Sequence, residues 1–248
     1  MWKDTAYRYI AFFDILGFKE MVLRNSHESI KKKLLLLNTE VNELEKKMIA
    51  LKKVNPDYHP IKISLFSDSI VIFSHDNTKN SLALTIAASQ IILAFALNNK
   101  IPIKGALSYG EVTADFKRAL FFGKAIIDAY LLQDELLLYG AIFHHSIEKQ
   151  INKIQYIDEL SFGEYCCPLK NGNVNHLLIK NDLISFLYRN EFGRGMIGLK
   201  EMSSGHQRKY VDNSIKYFEH LEQIGISKIP KNFPTQFKLS NIAKKKNG

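Results

Sequence analysis

Residues Tyr9–Phe18 read YIAFFDILGF. Five apolar or aromatic residues precede Asp14, and Ile15, Leu16 and Phe18 follow it. A run this rich in Tyr, Ile and Phe predicts a buried strand over about residues 7–14, closed by a turn at Gly17. A carboxylate inside such a run is costly unless something cationic meets it. Asp14 is therefore either a functional group or a cap on the turn that follows.

Outward from this stretch, a helix is expected from about residue 27. Ile30, Leu34, Leu37, Val41, Leu44, Met48 and Leu51 follow a 4-3 heptad series. Three heptads fit either a coiled-coil partner or a long helix laid on its own sheet. Asn55-Pro56 and His59-Pro60 end it. KISLFSDSIVIFS, Lys62–Ser74, places two short apolar runs around Ser67-Asp68 and predicts a β-hairpin with Asp68 at its tip. SLALTIAASQIILAFAL, Ser81–Leu97, carries no formal charge. It falls short of a membrane span and holds Thr85, Ser89 and Gln90, so a buried core helix is expected.

IPIKGALSYGEVTAD, 101–115, predicts a strand that enters a Gly-Glu turn and leaves again. Residues 121–140 predict a helix opened by Gly123. Residues 141–151 predict a strand running into a short helix, and 164–180 a hairpin turning at Lys170–Gly172. The order is βαββαβ with additions. That is an α+β class, a ferredoxin-like or palm-type antiparallel sheet with helices on one face. Residues 1–184 are expected to form one domain. Residues 185–248, interrupted by Gly193, Gly195 and Gly198, are expected to form a C-terminal helical appendage of the same unit, with an amphipathic helix near 207–223.

Lys and Arg number 34 against 25 Asp and Glu, a formal charge of +9. That balance suits polyanionic partners or a solvated lysine-rich surface. Cys166 and Cys167 are adjacent, so a bond between them is strained, and no CxxC spacing points to structural zinc. With no visible signal segment, a reducing, cytoplasmic setting is expected.

In a βαββ arrangement the first strand lies beside the hairpin, so Asp14 and Asp68 meet at one end of the sheet. Two close carboxylates repel unless neutralised. Oxygen-only ligands favour Mg²⁺ or Mn²⁺, two per site, which can serve phosphoryl transfer. The loop Ile15–Lys19 stands where backbone amides could cradle phosphates at a helix start, and Gly17 lets that backbone come close. The alternative is a turn residue and a cap.

These motifs together resemble class III nucleotidyl cyclases. YIAFFDILGF resembles the family's first metal motif, FSDSIVIF the second, and IKGALSYGEV the strand ending Gly-x-x-x-Gly-x-Val. FGKAIIDAYLL resembles the following helix, AIFHHSIEKQI the strand–helix after it, and PLKNG the late Lys-Gly turn. The ordered series spans residues 7–180. The resemblance implies that Asp14, Asp68 and the Ile15 carbonyl bind the two ions. It places Phe13, Gly17, Phe18, Lys19, Lys104 and Lys170 on the nucleotide, with Lys170 on the terminal phosphates. It also implies a nucleoside triphosphate substrate and a homodimer with sites at the interface, with no nucleic acid and no direct membrane contact.

Departures narrow the implication. The family's ribose-orienting Asn and transition-state Arg fall at Ile127 and Leu131. Its adenine-reading Asp falls at Leu120, and its purine-selecting Lys or Glu near Ser64. The chain looks most like the Pycsar-type bacterial pyrimidine cyclases, which make cyclic UMP or cyclic CMP after phage infection for a separate effector. Phe12, Phe13, Phe121 and Phe122 would crowd a small base, or simply fill a core. Rival expectations are a catalytically dead pseudo-cyclase that binds nucleotide or a partner, and a palm domain acting on nucleic acid. Asp128 and Tyr130 are placed beside the dimer pocket. His144 and His145 are expected on opposite faces of a strand, without a role.

Overall fold

The structure, a computed structural model, describes residues 2–54, 59–151, 162–180 and 196–223. Strand β1 is Thr5–Ile15, followed by helices α1, Phe18–Arg24, and α2, His27–Val54. The hairpin β2, Lys62–Phe66, and β3, Ser69–Phe73, leads to α3, Lys79–Asn98. Then come β4, Ile103–Asp115; β5, Leu120–Phe122; α4, Lys124–Glu135; β6, Ala141–Phe143; and α5, His145–Ile151. The hairpin β7, Phe162–Leu169, and β8, Gly172–Ile179, precedes α6, Gly205–Gln223. The strand order is β2-β3-β1-β4-β6-β8-β7, with β5 hanging from β4. Every pairing is antiparallel except β4 with β6.

The strand alternation of β1 sorts its side chains. Tyr9, Ala11, Phe13 and Ile15 enter the large core with Leu37, Val41, Leu44 and Met48 of α2 and the apolar side of α3. Ile10 and Phe12 enter a second core with Ala125 and Ala129 of α4. Helices therefore cover both faces, not one. The continuous apolar run of β1 is what a central strand covered on both faces carries.

The heptad positions Ile30, Leu34, Leu37, Val41, Leu44 and Met48 of α2 pack inward on this chain's own fold. Ser26 starts that helix, its hydroxyl accepting from the Ser29 amide at 3.3 Å. In α3, Leu82, Ile86, Ile92, Leu93 and Leu97 are buried within the molecule, which explains its membrane-like length and hydropathy. Each such side chain contributes about 1.5–3 kcal/mol by leaving water.

Three further expectations are corrected. Gly110-Glu111 is no turn: β4 runs straight through, pairing Gly110 with Arg8 and Glu111 with Tyr7. The helix opened by Gly123 stops at Glu135, where Leu136 turns to bridge Leu169. His145 already belongs to α5, so the rings of His144 and His145 lie 3.9 Å apart instead of on opposite faces. Arg194 and the terminal lysines lie outside the described residues.

Candidate active site

The two aspartates meet at one end of the sheet. Asp14 stands opposite Ser69 in the β1–β3 ladder, and Asp68 occupies the two-residue turn before it. The Ile15 amide donates to the Asp68 carbonyl at 2.9 Å, closing the hairpin tip against the end of β1. Asp14 is only partly exposed, and its carboxyl is held above the ordinary range. Burial is the main cause; the Asp68 charge adds to it, Lys104 opposes it, and Asp134 adds further. Among the described residues no hydrogen bond or ion pair reaches the Asp14 carboxylate. A partly buried acid facing a second acid, without a donor, is a poor capping arrangement and a good cation ligand set.

On the far side of β1, Asp14 stands opposite Lys104 of β4. Lys104 is only 2% exposed. Its Nζ donates to the carbonyls of Asp134 at 2.9 Å and Leu136 at 3.2 Å. Burial lowers its pKa to about 8, against the pull of Asp134, with Lys170 lowering it further. Lys170, in the β7–β8 turn, pairs with the Asp134 carboxylate at 2.6 Å on the surface. The two lysines thus converge on the end of α4, beside the aspartates.

Gly17 precedes α1 with φ 69, a left-handed backbone suited to glycine. The first intrahelical bond runs from the Met21 amide to the Gly17 carbonyl. The amides of Phe18, Lys19 and Glu20 lie before it and have no partner within α1. The Phe18 ring packs against the core, so its backbone is what it can offer a ligand. Lys19 is exposed. Phe13 is a correction. Its ring is fully buried on the α2–α3 face, and a Cβ on Gly105 would stand 2.4 Å from its Cδ1. It packs the core under the neighbouring strand and presents no surface to a substrate.

Asp128 is engaged by Lys124 at 2.6 Å and lies 3.9 Å from His144. Ile127, Tyr130 and Leu131 are half-exposed on α4, and Tyr130 meets Phe12 edge-to-face at 5.5 Å. Sequence motifs missed three residues near the aspartates. Asp134 lies in the last turn of α4, and Gln207 and Tyr210 come from α6. None lies in a recognisable pattern, and only packing brings them there.

A second cluster, His59, His75 and Asp76, has metal-ligand chemistry but sits at the opposite end of the β2–β3 hairpin. That is about 17 Å along a five-residue strand. Its imidazoles stack at 4.5 Å with planes 24° apart, so one ion does not lie in the plane of both rings. Arg8 also donates to the carbonyls of Ser74 and His75 beside it. Asp76 instead secures the start of α3, as its hydrogen bonds below describe.

No protein-family model and no curated protein matches the sequence. Solved structures do. The guanylate cyclase domain of RhGC from Catenaria anguillulae, in complex with GTP, is 13% identical with a TM-score of 0.52. The match covers 72% of this chain and 98% of that domain. The guanylyl cyclase Cya2 is 13% identical at 0.48, covering 72% and 93%. The adenylyl cyclase CyaB from P. aeruginosa is 18% identical at 0.42, covering 72% and 96%. The α+β fold is that of class III nucleotidyl cyclase domains.

Proposed function

We propose that this chain is a nucleotidyl cyclase. It takes a nucleoside triphosphate, UTP or CTP, and forms the 3′,5′-cyclic nucleotide with release of pyrophosphate. The observation that carries the reading is the Asp14–Asp68 pair: two carboxylates brought together at a sheet end, one of them partly buried without a donor.

The residues fit two divalent ions, Mg²⁺ or Mn²⁺, held by Asp14, Asp68 and the Ile15 carbonyl. Bound there, the ions supply charge neutralisation and lower the pKa of the ribose 3′-hydroxyl. The chain's own groups do the rest. The amides of Phe18 and Lys19 receive the phosphates where Gly17 lets the backbone come close, with the Lys19 side chain at the rim. Lys170 exchanges Asp134 for the terminal phosphates. Lys104 stays on the Asp134 and Leu136 carbonyls as a buried cation facing Asp14. The ribose 3′-hydroxyl gives its proton to water as its oxygen attacks the α-phosphorus; the bond from that phosphorus to the α,β-bridging oxygen breaks, and the oxygen leaves with pyrophosphate. Charge developing on these oxygens is met by groups already in place.

The pyrimidine preference rests on what the pocket side lacks. Ile127, Leu131 and Leu120 stand half-exposed where the resembled family carries Asn, Arg and Asp. We place this apolar surface of α4 and β5 at the contact between two copies, giving a homodimer with two sites. The cyclic pyrimidine nucleotide would act in the cytoplasm as a signal to a separate effector in antiviral defence, as in the Pycsar systems the sequence resembles. The same missing Asn and Arg favour one rival, a pseudo-cyclase that binds metal and nucleotide without turnover.

The test is to incubate purified protein with Mn²⁺ and ATP, GTP, CTP or UTP separately and identify products by mass. A cyclic pyrimidine monophosphate, lost in Asp14→Ala and Asp68→Ala, is expected. A cyclic purine overturns the base preference. Metal-dependent nucleotide binding with no product from any triphosphate favours the pseudo-cyclase. The signalling role fails if infection of cells carrying the gene raises no cyclic pyrimidine nucleotide.

A further inference from the structure

We propose that α6 is a wall of the nucleotide site, with Gln207 contacting the phosphates and Tyr210 acting as a positioning residue for Lys104. This rests on the cyclase assignment and extends it to a helix that follows the last strand of the sheet.

The placement of α6 is firm. The Tyr139 amide donates to Ser214 Oγ at 2.7 Å, and Asn213 Nδ2 donates to the Leu137 carbonyl at 2.8 Å. The Tyr217 hydroxyl donates to the Ile179 carbonyl at 2.9 Å. Three bonds to buried backbone, with Val211 and Tyr217 in the core, leave α6 one position on the sheet. Its first two turns then project to the end of the sheet that holds the aspartates.

There, Gln207 Nε2 lies over Gly17. A Cβ built on that glycine would stand 3.3 Å from it. The amide therefore borders the same loop whose backbone receives the phosphates. A primary amide brings two N–H donors and no charge. It can bond a phosphate oxygen without repelling the ions that Asp14 and Asp68 would hold.

Tyr210 is 6% exposed and stacks on Tyr139 at 6.0 Å and 15°. The Lys104 ammonium lies 5.5 Å from its ring centroid, within range of a cation–π contact. Its hydroxyl pKa is pushed up, first by burial, then by Asp134 and Asp14, with Lys170 opposing. Tyr210 thus shares one electrostatic environment with the charged residues of the site. Two of the three Lys104 N–H groups are taken by the Asp134 and Leu136 carbonyls. The Tyr210 ring closes the remaining side and holds the cation opposite Asp14.

The experiment uses the full chain and a probe without a base, inorganic tripolyphosphate with Mn²⁺, followed by titration calorimetry. Wild type should bind it, and Asp68→Ala should abolish the Mn²⁺-dependent part. Gln207→Ala should weaken binding about tenfold, the loss of one hydrogen bond to a charged group. Gln207→Glu should weaken it further by setting a carboxylate against phosphate. Gln207 is exposed, so its variants should melt with wild type and the loss will not be unfolding. In steady state, Gln207→Ala should raise KM with little change in kcat. Tyr210→Leu should lower kcat about tenfold, and Tyr210→Phe, which keeps the ring, should restore it.

Gln207→Glu that binds tripolyphosphate like wild type overturns the contact while the cyclase assignment stands. Gln207 or Tyr210 variants that turn over faster than wild type overturn the proposal in favour of an occluding helix. A Tyr210→Phe enzyme as slow as Tyr210→Leu overturns the positioning role. Wild-type protein whose tripolyphosphate binding ignores Asp68→Ala defeats the cyclase assignment itself, and this inference with it.

Discussion

An aspartate stands at each end of the β2–β3 hairpin, Asp76 after β3 at the open end and Asp14 of β1 beside the turn, and the two acids are treated oppositely. At the open end, Asp76 Oδ1 accepts from the Thr78 amide at 3.0 Å, the Thr78 hydroxyl at 2.7 Å and the Ser81 hydroxyl at 2.6 Å. Its other oxygen lies 3.1 Å from His75 Nδ1. Burial raises its pKa, and the bonds from Ser81, Thr78 and His75 outweigh that, holding it well below the usual carboxylate range. At the turn end, Asp14 faces Asp68 without a donor and is held above that range. Asp76 has committed its lone pairs to the fold. Asp14 keeps its own available, at a cost that a structural residue has no reason to bear.

That contrast can be broken most forcefully at the turn. Asp68→Ala should lower cyclic-nucleotide formation on the order of a thousandfold or more, through loss of metal-borne stabilisation of the transition state. Its melting temperature without metal should not fall. Measured turnover that survives would return Asp68 to the status of a turn residue. At the other end, Asp76→Ala should leave activity per folded molecule nearly intact. It should destabilise the protein by about 1–2 kcal/mol in urea titration, through loss of the bonds that start α3.

Asp14→Asn sharpens the comparison by sign. The folded state holds the Asp14 pKa above its unfolded value, so ionisation costs stability at any pH above the folded value. Removing the charge should stabilise the metal-free protein at pH 7. The gain should fade as pH drops through the folded value and vanish below about pH 4, where the unfolded acid also takes up its proton. Asp76→Asn should do the reverse: lost stability at pH 7, shrinking as pH falls. Equal signs at the two positions would remove the distinction. The smallest expected effect is a Mn²⁺-dependent rise of a few degrees in wild-type melting temperature. It should be absent in Asp68→Ala and preserved in Asp76→Ala.

Asp14 was visible in the sequence because its surroundings were so apolar, and Asp68 because a polar pair interrupted two short strands. The heptads of α2, the buried helix α3 and the β7–β8 hairpin followed from local pattern for the same reason: each element's period is written in consecutive residues. Where pattern failed, the information was not local. Gly110-Glu111 has turn composition, yet pairing with Arg8 and Tyr7 keeps β4 straight. Phe13 shares a motif with Asp14, but alternation sends it to the opposite face.

The sequence by itself determined the long helices, the two hairpins, the two acids and the likeness to cyclases. Only the tertiary structure decided which groups surround those acids. Lys104 is buried because the end of α4 offers it two carbonyls. Asp134, Gln207 and Tyr210 reach the site from helices distant in sequence. A strand's face repeats every second residue and can be read from a short window. A site is built by side chains that share a place and not a neighbourhood in the chain, and packing alone assembles them.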